Sequence, residues 1–250
     1  MDVAIRSSLG FPGELLLFME KLLMKIAHLI NLFEGNSIQM QAQSATIASM
    51  QAANDVAEFC EMDIRLNACV FGNDFVTTPY NFRDWELMRS TYDLPGEMRK
   101  LPFIHEIFQC FKEISYVYSP DVFVYSNADI LLSSHFYTSL PFVLKNRDAA
   151  TILRTTIGKG LIQNHPGYDC FVFRKELLSK IKLPKNVFLG YPPVGNCVFD
   201  ALRAAALPHN FNIIPSEWRL TFHIGDDKLW KDHPYVKINQ EYAYKNIEAL

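Results

Sequence analysis

The chain contains no GxGxxG dinucleotide pattern, no P-loop lysine, no GxSxG elbow and no HExxH. These absences disfavour nucleophilic hydrolase chemistry and leave no motif for a dinucleotide or P-loop phosphate site. Cysteine is scarce: Cys60, Cys69, Cys110, Cys170 and Cys197 form no CxxC pair and have no zinc-ligand spacing. An odd number of thiols in apolar surroundings reads as reduced and buried, which points to a cytoplasmic setting. Positive charge is also short. With 24 Lys and Arg against 27 Asp and Glu, the formal net charge is -3, so there is no footprint for nucleic acid. An anionic small ligand would need local cations or a metal.

A long uninterrupted apolar run is missing too. Leu9 to Leu32 is rich in Leu, Ile, Phe and Met, but Pro12 and Gly13 break its start, and Glu14, Glu20, Lys21 and Lys25 interrupt it. Such a segment is too charged to span a bilayer. With Asp2 and Arg6 as the only early charges, it also lacks the basic start of a signal peptide. The expectation is an amphipathic helix over 13–23, able to make peripheral membrane contact, with Met24 as an alternative start. Repeats and low-complexity stretches are absent.

Hydrophobic residues make up 49% of the chain and charged residues 20%, ordinary values for a folded domain with a sizeable core. No linker divides it, so 24–232 is read as one domain, with 1–23 as an extension and 233–250 as a tail. Met24–Asn31 reads as a strand. Ser44–Phe59 follows as a helix, with Ile47, Met50, Ala53 and Ala57 at spacings of three and four, and Ile64–Phe71 as a strand: a βαβ opening. Helical periodicity is expected over Asn81–Tyr92 and Leu101–Tyr118, with Pro102 in a first turn. Strands are then expected at Val122–Ser126, Ala149–Thr155, Cys170–Phe173, Phe211–Ile214 and Arg219–Ile224, and helices at Phe136–Leu144 and Asn196–Ala206. The alternation predicts an α/β class with a mainly parallel central sheet flanked by helices.

Within VFVYSNADILLS, Asn127-Ala128-Asp129 ends a buried strand. An unpaired carboxylate there would be costly, so Asp129 belongs at a cleft edge, holding a hard divalent cation or capping its own turn. His223, in LTFHIGDDKLW, presents an imidazole where a strand gives way to a loop. Such a residue is either a core histidine or a ligand for a manganese-class metal. His165-Pro166-Gly167 reads as a turn placing Asp169 at the mouth of the next strand, as a base, an acceptor contact or a turn residue. Gly190-Tyr191-Pro192-Pro193-Val194-Gly195-Asn196 reads as a stiff loop opening a helix. Tyr116, Tyr118 and Tyr125 read as core and pocket wall.

Taken in order, KIAHLINLF, SATIASMQAANDVA, RKLPFIHEIF, VYSNADILL, GYDCFVFRKEL and LTFHIGDDKLW resemble a nucleotide-sugar glycosyltransferase of the GT-A fold, within the nucleotide-diphospho-sugar transferase superfamily. The resemblance covers Met24 to Trp230. It implies a Rossmann-like GT-A domain and an Asp-x-Asp-like motif, here Asn127-Ala128-Asp129, whose first Asp is replaced. Asp129 and His223 are the implied ligands of Mn2+ or Mg2+. Asn127 would contact the donor ribose or a metal-bound water, His28 and Asn31 would lie near the base and ribose, and Arg99 and Lys100 would meet phosphate. The late helix opens with Gly195-Asn196, where such enzymes place an acidic residue. Asp169 is therefore the first candidate base and Asp200 the second.

The implied reaction is glycosyl transfer from a nucleoside-diphosphate sugar to a hydroxyl acceptor. Inversion would need a base, and retention would not need it in the same position. A catalytically inactive nucleotide-sugar-binding relative is the first rival. A nucleotidyltransferase is the second, though Glu34-Gly35-Asn36-Ser37 is a poor version of the Gly-rich loop it needs.

Overall fold

The computed structural model describes residues 24–74, 78–95, 99–158, 161–224 and 233–245, without the side chains of 158, 161–166, 208 and 245. The helix expected over 13–23 and the pair Asp226 and Asp227 lie outside the described residues. The elements run β1 (Lys25–Asn31), α1 (Ser37–Phe59), β2 (Asp63–Val70), β3 (Phe82–Glu86), α2 (Ile104–Tyr118), β4 (Val122–Ser126), β5 (Ile130–Leu132) and α3 (Phe136–Val143). They continue with β6 (Ala149–Gly158), β7 (Leu161–Arg174), α4 (Val194–Ala206), β8 (Phe211–Ile214), β9 (Thr221–His223) and α5 (Pro234–Lys245).

Strand β1 organises the rest, because its side chains from Ile26 onward are buried on both faces. Ile26 and Ile30 point into one core cluster, and Ala27 and Leu29 into the other, as the two-residue period of a strand requires. A strand apolar on both sides must be covered on both. Helices α1 and α3 cover the first face, with Met50, Ala53, Phe136 and Leu140 packed on Val122, Val124 and Val172. Helices α2 and α4 cover the second, where Phe108, Phe111, Phe123 and Phe173 form an aromatic core with ring centroids 4.9 to 5.8 Å apart. Truncating one of these, such as Phe111, to Ala would cost about 3–5 kcal/mol.

The strand order is β3-β2-β1-β4-β7-β6-β9-β5, with β8 also paired to β6. β3, β2, β1 and β4 are parallel, and so are β6–β8 and β6–β9; β4–β7, β6–β7 and β5–β9 are antiparallel. The sheet is therefore mixed and mostly parallel, as the alternation of elements predicts.

Several local expectations are corrected. The segment expected as a helix over 81–92 contains strand β3, followed by a short 3-10 turn at Thr91–Asp93. Its buried Phe82 and Trp85 are three apart, which mimics a helical period, while Arg83, Asp84 and Glu86 are exposed on an edge strand. Helix α1 starts seven residues before the expected Ser44, because Asn36 and Gln39 form a reciprocal capping box. Pro102 lies outside α2, bridged to Ser90, and the helix starts at Ile104. Residues 165–168 belong to strand β7, not to a turn before it. Tyr116 is 91% exposed and forms no wall.

Residues 233–245, within the segment read as a tail, carry α5. Its fully buried Asn239 accepts from the Phe188 N–H at 2.9 Å and donates to the Phe188 and Tyr191 carbonyls at 3.0 and 2.8 Å. This ties the last helix to the loop that opens α4.

Candidate active site

The chain builds outward from β1 through β2 to β3, then returns to place β4 on the other side of β1. Connections leave the carboxyl ends of β1 and β4 in opposite directions, and such a switch point leaves a crevice where ligands bind. Asn31 ends β1 there, and Asn127 to Asp129 follow β4.

Asn31 is held across the β1–β2 junction, its amide donating to the carbonyls of Cys69 at 3.1 Å and Leu32 at 3.4 Å. Asn127 is held on every side. Its backbone N–H donates to the Asp169 carbonyl at 3.0 Å, its Nδ2 donates to Asp169 Oδ1 at 2.8 Å, and its Oδ1 accepts from the Tyr125 hydroxyl at 3.3 Å. The other Asp169 oxygen, Oδ2, pairs with Arg154 Nη1 at 2.6 Å, and both side chains are largely buried. Gly167 makes room for that pair: a Cβ there would lie 2.7 Å from Asp169 Oδ2 and 2.8 Å from Arg154 Nε.

Asp129 lies opposite a strand end. The β5–β9 register pairs Ile130 with His223, which brings His223 Nε2 to 3.1 Å from Asp129 Oδ2. The Asp129 side chain is 40% exposed and that of His223 4%. Asp129 Oδ1 is shielded from solvent and has no hydrogen-bond partner. A carboxylate oxygen in that state is short of a cation or a donor.

The donor set suits a divalent metal in part. One carboxylate oxygen and one imidazole nitrogen 3.1 Å apart match adjacent vertices of an octahedron, which are about 3 Å apart for ligand bonds of about 2.1 Å. Among the described residues no group of three His, Cys, Asp or Glu side chains comes together. The pair therefore fits a metal that takes its other ligands from substrate and water.

Other candidates are dispersed. His28 is in the core, fully buried, with Nδ1 2.8 Å from the Tyr137 hydroxyl and Nε2 2.8 Å from Ser126 Oγ. Burial lowers its pKa from 6.5 to about 3, so it is neutral and sealed away from any nucleotide. Its placement near the base is corrected: His28 shares the face of Ile26 and Ile30, and that face is closed by α3. Lys100 Nζ is paired with Asp74 at 2.9 Å, is hydrogen-bonded to Asn73, and lies 4.1 Å over the Phe71 ring. Arg99 is exposed and bonds through its backbone N–H to the Tyr235 hydroxyl at 2.8 Å. Asp200 is exposed on α4, and its charge helps raise the Cys197 pKa to about 11, after the larger effect of burial.

A cavity of about 320 Å3 opens at the carboxyl ends of β2 and β3, lined by Phe71, Asn73, Glu86, Met88, Ser90 and Lys100 among others. Arg154 was missed in sequence. Its signal was an arginine inside the apolar strand AATILRTTIG, the same kind of anomaly that marked Asp129.

No family model matches the chain, and no curated protein matches it. Solved structures do. Glucosyl-3-phosphoglycerate synthase from Mycobacterium tuberculosis, in complex with uridine diphosphate, aligns with a TM-score of 0.57 at 12% identity over 96% of this chain and 85% of that one. The same enzyme with Mn2+, UDP-glucose and phosphoglyceric acid gives 0.56 at 12% identity, with the same coverage. S. aureus TarS with UDP-GlcNAc gives 0.56 at 11% identity, covering 88% of this chain. This chain spans only 64% of that TarS structure and 60% of a second one. At 11–12% identity the likeness is one of fold, and the chain has the GT-A fold.

Proposed function

We propose that the chain transfers a glycosyl group from a nucleoside-diphosphate sugar to a hydroxyl acceptor, as a member of the GT-A glycosyltransferases. The observation that carries this is the Asp129–His223 pair at the switch point, with one Asp129 oxygen shielded and unpartnered. Asp129 and His223 would hold Mn2+ or Mg2+, which when bound offsets negative charge on a leaving diphosphate. The donor base and ribose would occupy the cavity at the ends of β2 and β3. With adjacent strands about 4.8 Å apart, that cavity lies about 10 to 14 Å from β4, a span an extended nucleoside diphosphate bridges.

The chain's own residues divide the remaining work. Asn127, fixed by Asp169 and Tyr125, would present a preorganised amide to the donor ribose or a bound water. Arg99, exposed at the sheet's carboxyl side, remains a candidate phosphate contact. Asn31 would line the base end of the crevice. Asp169, with Oδ1 on Asn127 and Oδ2 on Arg154, is assigned to orientation. Asp200 is then left as the candidate proton acceptor for the incoming hydroxyl.

The test is turnover of a panel of nucleoside-diphosphate sugars by the purified chain, with Mn2+ and with chelator. Metal-dependent release of sugar or diphosphate that is lost in Asp129→Ala supports the reading, and turnover unchanged in that variant overturns it. A second reading, a nucleotide-sugar binder without turnover, is favoured by the single carboxylate at the metal pair. Nucleoside diphosphate binding by calorimetry with no sugar release would select it.

A further inference from the structure

We propose that a second cavity, on the outer side of α2, binds a small organic anion with an apolar body, such as an aryl phosphate. The cavity, of about 230 Å3, lies between α2 and the segment 178–183. Phe108, Ile181 and Leu183 supply apolar lining, and Lys112, Lys182 and His105 bring cationic and imidazole groups to it. Phe108 is 5% exposed and locked against Phe111 and Phe173, so the apolar lining is preformed. Lys112 and Lys182 are exposed, free to reorient towards an anion.

Among the described residues, the lining itself carries Lys112 and Lys182 and no acid. The segment KELLSKIKLPK carries Lys175, Lys180, Lys182 and Lys185 against the single acid Glu176, in a chain whose formal net charge is -3. The field of Lys112 and Lys185 also reaches His105. It lowers that pKa further after the larger effect of burial, while Glu106 opposes it. His105 Nε2 is 3.0 Å from Gln109 Nε2, which fixes the ring against the next turn of α2. Its Nδ1 is shielded and lies 3.7 Å from Glu106 Oε1, so the ring serves as a wall of the cavity. Apolar lining and lysines are complementary to an anion that brings hydrophobic surface with it. Inorganic phosphate would leave the apolar wall unused, and a neutral aromatic would leave the lysines unpaired.

Binding there needs no donor sugar and no metal, so its outcome is independent of glycosyl transfer. Calorimetry with phenyl phosphate, inorganic phosphate and benzyl alcohol tests it on the full chain. Phenyl phosphate is expected to bind at least about tenfold more tightly than either control. The Lys112→Ala/Lys182→Ala double variant, altered only at exposed positions, should weaken it by about tenfold or more. Ile181→Trp, which fills the cavity, should abolish it while both variants keep the wild-type circular dichroism spectrum. Equal affinity for phosphate and phenyl phosphate, or binding unchanged in Ile181→Trp, or no binding at all, overturns the proposal.

Discussion

Ser126 and Asn127 are adjacent in the chain, yet they belong to different regimes. Ser126 faces α3 in a sealed, fully buried cluster with His28 and Tyr137, in which both imidazole nitrogens are engaged. Asn127 turns to the rim, where its amide donates to Asp169, itself paired with Arg154, and where Asp129, two residues on, keeps an oxygen without a partner. His28 and His223 repeat the contrast. One is neutral and enclosed, and the other is held against a carboxylate that is 40% exposed. A polar group that is fully satisfied specifies the core, whereas one left short of a partner marks where a ligand is wanted.

The comparison can be broken most sharply at Asp129. Asp129→Ala should lower metal-dependent turnover by at least about a hundredfold, with little change in urea midpoint, because it removes a rim group and leaves the core intact. His28→Leu should do the reverse. It orphans the Ser126 and Tyr137 hydroxyls and should cost about 2–4 kcal/mol in urea unfolding, with residual nucleotide binding at the wild-type level in the folded fraction.

A third experiment probes the boundary between the two. Asp169→Asn removes a charge from a largely buried pair, so it should cost about 3 kcal/mol and also reduce turnover by about tenfold through Asn127. If only stability moves, Asn127 needs no orienting partner. His223→Gln should weaken Mn2+ binding by about tenfold and leave stability near wild type.

The last experiment reads the pH dependence of stability. His28 is neutral in the folded state down to about pH 3, whereas an unfolded histidine protonates below 6.5. Between those values the unfolded chain binds the extra proton, so stability should fall as pH drops from 6.5 towards 3. Comparing urea midpoints of wild type and His28→Leu across that window checks it. The slope should be shallower in the variant, and equal slopes would show that His28 is not the group responsible.

The strands and helices carrying a clean period were legible in the chain. Phe211–Ile214 matches β8 at both ends, and Val122–Ser126, a largely apolar run after the turn Ser119-Pro120-Asp121, matches β4. β3 was not legible, because its two buried aromatics are three apart and Trp85 is fixed by a tertiary bond to Asn67 at 2.9 Å. Among site residues, the meeting of Asp129 and His223 was anticipated, and the geometry brings them together. His28 was misplaced because position along β1 was read without its face. Lys100, read as a candidate phosphate partner, is also paired with Asp74, a contact 26 residues away that no local pattern announces.

Asn239 carries a consequence for the order in which the protein is made. Its bonds reach back 51 residues to Phe188 and 48 to Tyr191, fixing the loop from which α4 departs. That loop cannot take its final form on the ribosome until α5 has emerged from the exit tunnel. The α4 side of the crevice is therefore completed only once Asn239 has emerged, well after β1 and β4, beyond whose carboxyl ends the rest of the crevice lies.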